Sequence, residues 1–255
     1  MSDSYMHAVA ELGALAGGFA MSHYGTDITV DFKDDGSPVT IADRGSEQLA
    51  REWIERNFPM DGILGEEFGD IRPDARFRWI IDPIDGTKSF IRGVPLWGTL
   101  VAVTDGDSVL AGCAHFPAVS ETIVAGLGEG CFWNGSLCTV SSQSSLEDAT
   151  VLITDDRFPD RPDRARAWHT LASKARVVRT WGDCYGYLLL ATGRADVMMD
   201  DVVSPWDAAA LYPIVTEAGG MFTDWRGNLT AFGGDIIATN FLLAKQVRDI
   251  LIESP

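Results

Sequence analysis

Two aspartates three residues apart stand in the stretch Trp79-Ile-Ile-Asp-Pro-Ile-Asp-Gly-Thr-Lys-Ser-Phe90. The apolar run through Phe77, Trp79, Ile80 and Ile81 reads as a buried strand that ends abruptly at Asp82-Pro83, after which Asp85-Gly86-Thr87 turns the chain. Carboxylates delivered together at the C-terminal end of a strand suit a hard divalent cation. Such an ion takes oxygen ligands from carboxylates, water and substrate phosphate. If a helix starts at Gly86-Thr87, its exposed backbone N–H groups face an anion. The alternative use of Asp, Pro and Gly here is a plain turn.

Further carboxylates stand where elements begin or end. Asp43 closes Thr40-Ile-Ala-Asp43, Glu66-Glu67 follows the short apolar Gly62-Ile-Leu-Gly65, and Asp207 closes Ser204-Pro-Trp-Asp207. The first and last of these also fit helix capping patterns. The two uses are compatible, because a carboxylate offers about four lone-pair sites and can cap a helix while binding a cation. Adjacent Glu66 and Glu67 repel each other unless a cation lies nearby; a solvated loop pair is the alternative.

The elements that must position these groups follow from periodicity. Residues 3–24 carry Met6, Val9, Leu12, Ala16 and Phe19 at helical spacing. A short strand at 27–32 and a loop at 33–38 lead to a second helix from Thr40 to about Asn57, with Leu49, Trp53 and Ile54 inward. Strands are predicted at 62–65, 96–104, 109–116, 121–126 and 130–135, with Asp105-Gly106 as a hairpin signal. The first half is therefore two helices and a largely antiparallel sheet. The serine-rich 140–148 reads as a lobe boundary. Beyond it, strands predicted at 150–154, 176–180, 195–199, 221–223 and 236–238 alternate with helices at 160–174, 183–192, 205–218 and 241–253. Pro213 should kink or end the third of these helices. Two lobes are expected, 1–139 and 140–255, packed as one compact unit.

At 255 residues, 46% hydrophobic and 22% charged, the chain can bury a sizeable core. Its net charge of −17 opposes nucleic acid and anionic membranes. It also sits awkwardly with a phosphate substrate unless bound cations offset the carboxylates locally. Cys113, Cys131, Cys138 and Cys184 form no CxxC pair, and Met1-Ser-Asp-Ser lacks a basic leader region, so reduced thiols in a cytoplasmic protein are expected. No apolar run approaches the roughly 18 residues of a membrane span. His7, His23, His115 and His169 are scattered and leave little for a zinc site or a phosphohistidine.

Gly65-Glu66-Glu67, Asp82-Pro-Ile-Asp-Gly-Thr87 and Trp206-Asp207 followed by Glu217-Ala-Gly-Gly220 resemble the inositol monophosphatase-like superfamily, in order and over essentially the whole chain. The resemblance implies a Mg²⁺-dependent, often lithium-sensitive phosphomonoesterase. It implies an α/β (α+β) fold, a layered αβαβα sandwich with a largely antiparallel first sheet and a second, mixed sheet. The N-terminal lobe would carry the metal site and the C-terminal lobe the substrate-selecting residues. A small phosphomonoester substrate, two to three Mg²⁺ ions per site and a homodimer are implied, with neither nucleic acid nor membrane as partner. Glu66, Asp82 and the Ile84 carbonyl would hold one ion; Asp82, bridging, with Asp85 and Asp207 would hold the second. Glu66 would also reach a third ion through water. Asp43 and the Thr87 hydroxyl would orient and deprotonate the attacking water, and the N–H groups of Gly86 and Thr87 would hold the phosphate. Two such cations clamp the phosphate oxygens, activate water and reverse the local field of an acidic chain.

The second half bears on the substrate. Where many inositol monophosphatases have small residues, this chain has Gly182-Asp-Cys-Tyr185, and Asp200 stands seven residues before Asp207, where they carry Glu. Thr180-Trp-Gly-Asp-Cys-Tyr-Gly-Tyr-Leu-Leu-Leu-Ala-Thr-Gly-Arg194 and Asp85-Gly-Thr-Lys-Ser-Phe90 are closer to the histidinol-phosphate phosphatase branch. Asp183 and Asp200 would then pair with the ammonium and imidazole of L-histidinol phosphate, which is hydrolysed to L-histidinol and phosphate in histidine biosynthesis. Helix capping by Asp183, and a solvated turn at Asp200-Asp201, are the structural alternatives. Lys33 and Lys88 either touch the phosphate or a metal-bound water or stay on the surface, and Trp181 and Tyr185 either wall the pocket or pack. Other expectations of the same chemistry are inositol 1-phosphate, another sugar phosphate or 3′-phosphoadenosine phosphate, the last wanting a basic, aromatic pocket that is not evident. A non-catalytic metal-binding or assembly protein on this fold is opposed by the presence of every metal and water-activating position.

Overall fold

A computed structural model of the chain describes residues 2–253. Helices α1 (Ser2–Met21) and α2 (Ile41–Asn57) are separated by the small hairpin β1 (Val30–Phe32) and β2 (Pro38–Thr40). Then follow β3 (Gly62–Gly65), β4 (Gly69–Ile71), β5 (Phe77–Asp85), the single turn α3 (Thr87–Phe90), β6 (Gly98–Asp105), β7 (Ser108–Phe116), β8 (Glu121–Gly126), β9 (Gly130–Trp133) and β10 (Ser136–Leu137). These strands form a sheet of order β10-β9-β8-β7-β6-β5-β3-β4. The second half comprises β11 (Thr150–Ile153), α4 (Pro162–Ala172), β12 (Val177–Arg179), α5 (Cys184–Ala191), β13 (Val197–Asp200), α6 (Pro205–Ala208), α7 (Leu211–Glu217), β14 (Gly220–Thr223), β15 (Ile236–Asn240) and α8 (Ala244–Glu253). Its sheet has the order β12-β11-β13-β15-β14. It is mixed: β11 runs parallel to β12 and β13, and β15 antiparallel to β13 and β14.

Period-two alternation sends successive side chains of β5 to opposite layers. Trp79 and Ile81 join Val9, Leu12, Ala16 and Ile54 under α1 and α2. Ile80 faces the other way, toward Leu188, Ile214 and Val215 of α5 and α7, which also meet Leu152, Met198 and Phe222 of the second sheet. Trp168, Leu171, Val247 and Leu251 of α4 and α8 cover that sheet's outer face. The layers therefore run αβαβα, and α5 and α7 belong to both sheets at once.

Three local features decide where the functional side chains fall. The large sheet is antiparallel except that β3 and β5 are parallel, with Gly65 opposite Ile81. Their C-terminal ends thus lie side by side, so Glu66 emerges next to Asp82. Contrary to the abrupt end expected at Asp82-Pro83, β5 continues to Asp85, which pairs with Gly98 after an irregularity between Asp82 and Asp85. Pro83 has no N–H to donate, which interrupts the ladder without ending the strand. The helix expected over 205–218 is two helices, broken at Ala209-Ala210. The break falls one turn before Pro213, which has no N–H to donate back to Ala209, so the interruption expected from this proline is present; within α7 it occupies the first turn. The short strands β2 and β4 were not anticipated. The capping box at Thr40–Asp43 is present as expected.

No helix among the described residues is long and apolar enough to cross a membrane. Trp79 is fully buried against the rings of Tyr5, Trp53 and Phe58, and its indole N–H donates to Asp61 Oδ2 at 3.0 Å. Trp79→Ala should therefore lower unfolding free energy by about 3–5 kcal/mol in denaturant titrations. Phe32→Ala, on a 71% exposed side chain, should change it by less than about 0.5 kcal/mol.

Candidate active site

Asp43, Asp82, Asp85 and Asp207 are each held by a backbone N–H. Asp82 Oδ1 accepts from Ile84 N at 3.0 Å, Asp85 Oδ2 from Cys184 N at 2.5 Å, and Asp207 Oδ2 from Ser204 N at 2.7 Å. Asp43 Oδ2 accepts both the amide and the hydroxyl of Thr40, at 2.7 and 2.6 Å. The fold then gathers Asp82, Asp85 and Asp207 so that one oxygen of each lies within 4.8 Å of the others. Glu66 lies within hydrogen-bonding reach of Asp82. Burial, then the charges of Glu66, Asp85 and Asp207, push Asp82 well above the ordinary carboxylate range. Burial, then Asp183 and Asp207, do the same to Asp85. Burial also raises Glu66 and Asp207. An all-oxygen donor set short of positive charge fits a hard divalent cation.

Positive charge beside Glu66 and Glu67 comes from Lys33, whose Nζ lies 2.7 Å from Oε1 of each. Burial works against the ammonium, but its bonds to both glutamates outweigh that and hold its pKa above the usual lysine range. Lys33 is thus not a free surface lysine. From the opposite side, Glu47 accepts the N–H groups of Glu67 and Phe68, at 2.7 and 3.1 Å.

Thr87 Oγ1 lies 3.2 Å from Asp43 Oδ1 and 2.9 Å from the Ile84 carbonyl oxygen, so the residues expected to handle water are adjacent. Burial raises the Asp43 carboxyl despite its bonds from Thr40 and Thr87. Gly86 precedes α3 with φ of 86°, and a Cβ there would meet Asp183 Oδ2 and the Leu96 carbonyl oxygen, each at 3.1 Å. Both the left-handed backbone and the crowding require glycine. The first N–H groups of α3 have no carbonyl within the turn to bond.

Asp85 and Asp207 open into a cavity of about 80 Å³ whose lining includes Asp183, Asp200, Tyr187 and Thr154. The capping alternative for Asp183 fails: its side chain makes no cap bond to α5, and its N–H donates to Thr154 Oγ1 at 2.8 Å. Burial pushes Asp183 up to about 6, opposed by the charge of Lys88. The solvated-turn alternative for Asp200 fails too. It ends β13, accepts the Tyr187 hydroxyl at 2.6 Å, and burial pushes it up to about 7. Asp201 instead takes Arg161 and Arg164, at 3.1 and 2.7 Å. Trp181 is 43% exposed and Tyr185 bonds Glu121 at 3.0 Å; neither lines this cavity. Sequence reasoning did not single out Tyr187, Thr154, Glu47 or Arg51 for the site. Tyr187 carried a weak signal, one of two phenols that precede the Leu-Leu-Leu run of α5.

A layered fold that brings buried carboxylates to the end of a strand, beside a turn with free N–H groups, has the makings of a cation-assisted hydrolase of phosphate esters. The comparisons agree: the profile of the inositol monophosphatase family matches residues 2–253. The histidinol-phosphatase of Chlorobaculum parvum is 41% identical over 239 residues, covering 93% of this chain and 92% of that one. That of Mycobacterium tuberculosis is 38% identical over 226 residues, 87% of each chain. The extragenic suppressor protein SuhB of Bartonella henselae superimposes with a TM-score of 0.93 at 27% identity, covering 99% of this chain and 100% of that one. The chain belongs to the inositol monophosphatase family, and it is a phosphomonoester hydrolase.

The clustered carboxyls bind protons more tightly folded than unfolded. The stability that protonation lends is therefore fully present below the unfolded pKa of about 4. It is lost as pH rises through the folded values, about 6 for Asp183 and about 7 for Asp200. A bound cation would offset that loss. Any increase in Tm on adding a divalent cation should thus grow between about pH 5 and about pH 7.5 in thermal unfolding scans, and a pH-independent increase would contradict this account.

Proposed function

We propose that the chain is a Mg²⁺-dependent histidinol-phosphatase, hydrolysing L-histidinol phosphate to L-histidinol and phosphate. The observation that carries this reading is the pair of half-buried acidic side chains, Asp183 and Asp200, lining one cavity with Asp85 and Asp207. A neutral polyol does not require two half-buried carboxylates in its pocket, whereas an ammonium or imidazolium is stabilised by them, since a charge taken out of water needs a counter-charge. The relatives named histidinol-phosphatase support the same choice.

Glu66, Asp82, the Ile84 carbonyl, Asp85 and Asp207 would hold two to three Mg²⁺ ions. When bound, these supply Lewis-acid stabilisation of the phosphoryl and leaving oxygens. The chain's own residues handle the proton and the geometry. Asp43 Oδ2 is taken by Thr40, which leaves Oδ1 to face Thr87 Oγ1 at 3.2 Å. As the water oxygen bonds to phosphorus, its proton passes to Thr87 Oγ1 and the Thr87 proton to Asp43 Oδ1, while the phosphorus–ester oxygen bond breaks on the far side and the leaving alkoxide takes a proton from solvent water to become the alcohol. The N–H groups of Gly86 and Thr87 hold the phosphate oxygens, and Asp183 and Asp200 orient the amine-bearing alcohol. In this reading the lobes 1–139 and 140–255 act as one catalytic unit, the first supplying most cation ligands and the second the substrate contacts.

Phosphate release at saturating Mg²⁺ should favour L-histidinol phosphate over inositol 1-phosphate by about 100-fold in kcat/KM, about 2.7 kcal/mol in transition-state binding. The reverse preference would return Asp183 and Asp200 to structural roles. Asp82→Asn should abolish turnover while leaving the circular dichroism spectrum unchanged; retained turnover would remove Asp82 from the cation site.

A further inference from the structure

Glu47 is fully buried in the middle of α2, and no step described above uses it. Its carboxylate accepts Arg51 Nε at 2.7 Å, the Glu67 N–H at 2.7 Å and the Phe68 N–H at 3.1 Å. Arg51 Nη2 in turn donates to the Gly69 carbonyl oxygen at 2.5 Å. One buried ion pair thus grips the 66–69 turn between β3 and β4 at three backbone points. The approach is close: a Cβ at Gly65 would lie 2.0 Å from Glu47 Oε1. Any other residue at 65 would push the carboxylate away from the turn it holds.

A buried ion pair is a poor way to add stability, because desolvation consumes most of the Coulomb gain. This one is not even fully satisfied, since Arg51 Nη1 has no partner among the described residues. What the pair does supply is direction. With the N–H groups of Glu67 and Phe68 held by Glu47, the turn presents the Glu66 side chain toward Asp82 and Lys33.

We propose that Glu47 is a positioning residue for Glu66: through the 66–69 turn it sets the affinity of the divalent cation that Glu66 holds. The inference rests on the reading of Glu66 as a cation ligand given above. Glu47 touches neither cation nor substrate and acts only by fixing the backbone that carries the ligand.

The test is Mn²⁺ binding to the full chain by calorimetry and electron paramagnetic resonance, alongside thermal unfolding. The variants are Glu47→Gln and the double variant Glu47→Leu with Arg51→Met. The double variant replaces the ion pair by apolar side chains of similar volume, a change that commonly preserves stability, but it removes the acceptor for the Glu67 and Phe68 N–H groups. In both variants one class of Mn²⁺ sites should weaken by about 10–100-fold, as happens when groups supporting a metal ligand are removed. The metal concentration that gives half-maximal turnover should rise by the same factor. A folded double variant with wild-type Mn²⁺ affinity would reduce Glu47 to a structural role and overturn the proposal. Glu66→Gln separates the two levels. If it leaves Mn²⁺ binding unchanged, the reading of Glu66 as a ligand fails and takes this inference with it. If it weakens binding while Glu47→Gln and the double variant do not, only the inference fails.

Discussion

Coulomb repulsion among Asp82, Asp85 and Asp207, each with an oxygen within 4.8 Å of the others, is the constraint around which the molecule is built. Buried like charges cannot all ionise without a counter-charge. The fold meets the problem in two ways. Backbone donors at Ile84, Cys184 and Ser204 fix one oxygen of each carboxylate, leaving the others to converge. Lysine charge is admitted at the rim, through Lys33 on Glu66 and Glu67 and Lys88 beside Asp183. The centre is left short of positive charge, which is the condition under which a divalent cation binds most favourably.

The elements that deliver these groups were readable in the sequence where their cause is local. The capping box at Thr40–Asp43 needs only four consecutive residues, and the alternation along β5 only its own apolar side chains. What escaped depends on partners distant in the chain. Glu47 and Arg51, four apart on a helix, look like an exposed pair until the 66–69 turn docks over them. Tyr187 sits in a helix that is apolar on every side, so its phenol reads as core. Only the arrival of Asp200 gives the hydroxyl an acceptor. The continuation of β5 past Pro83 required a facing Gly98, which no property of 82–85 reveals.

The shared middle layer gives the site its position. Because α5 and α7 pack against both sheets, the start of α5 can reach Asp85 of the first sheet with the Cys184 N–H while Tyr187, one turn on, reaches Asp200 of the second. The carboxylates proposed for cations and those proposed for substrate are therefore linked through one short helix. A shift of α5 would move both together.

The bond from Cys184 N to Asp85 spans 99 residues of chain. Loops of that length close late, since their entropic cost must be met before any distant contact is gained. The parallel alignment of β3 with β5 lets Glu66 and Asp82 meet early, within one sheet. Asp207 joins them only when the middle layer has docked. A chain emerging from the ribosome can thus form its first sheet and its helical cover long before it owns a complete cluster of negative charge. The repulsive assembly is postponed until nearly all the burial that opposes it is in place.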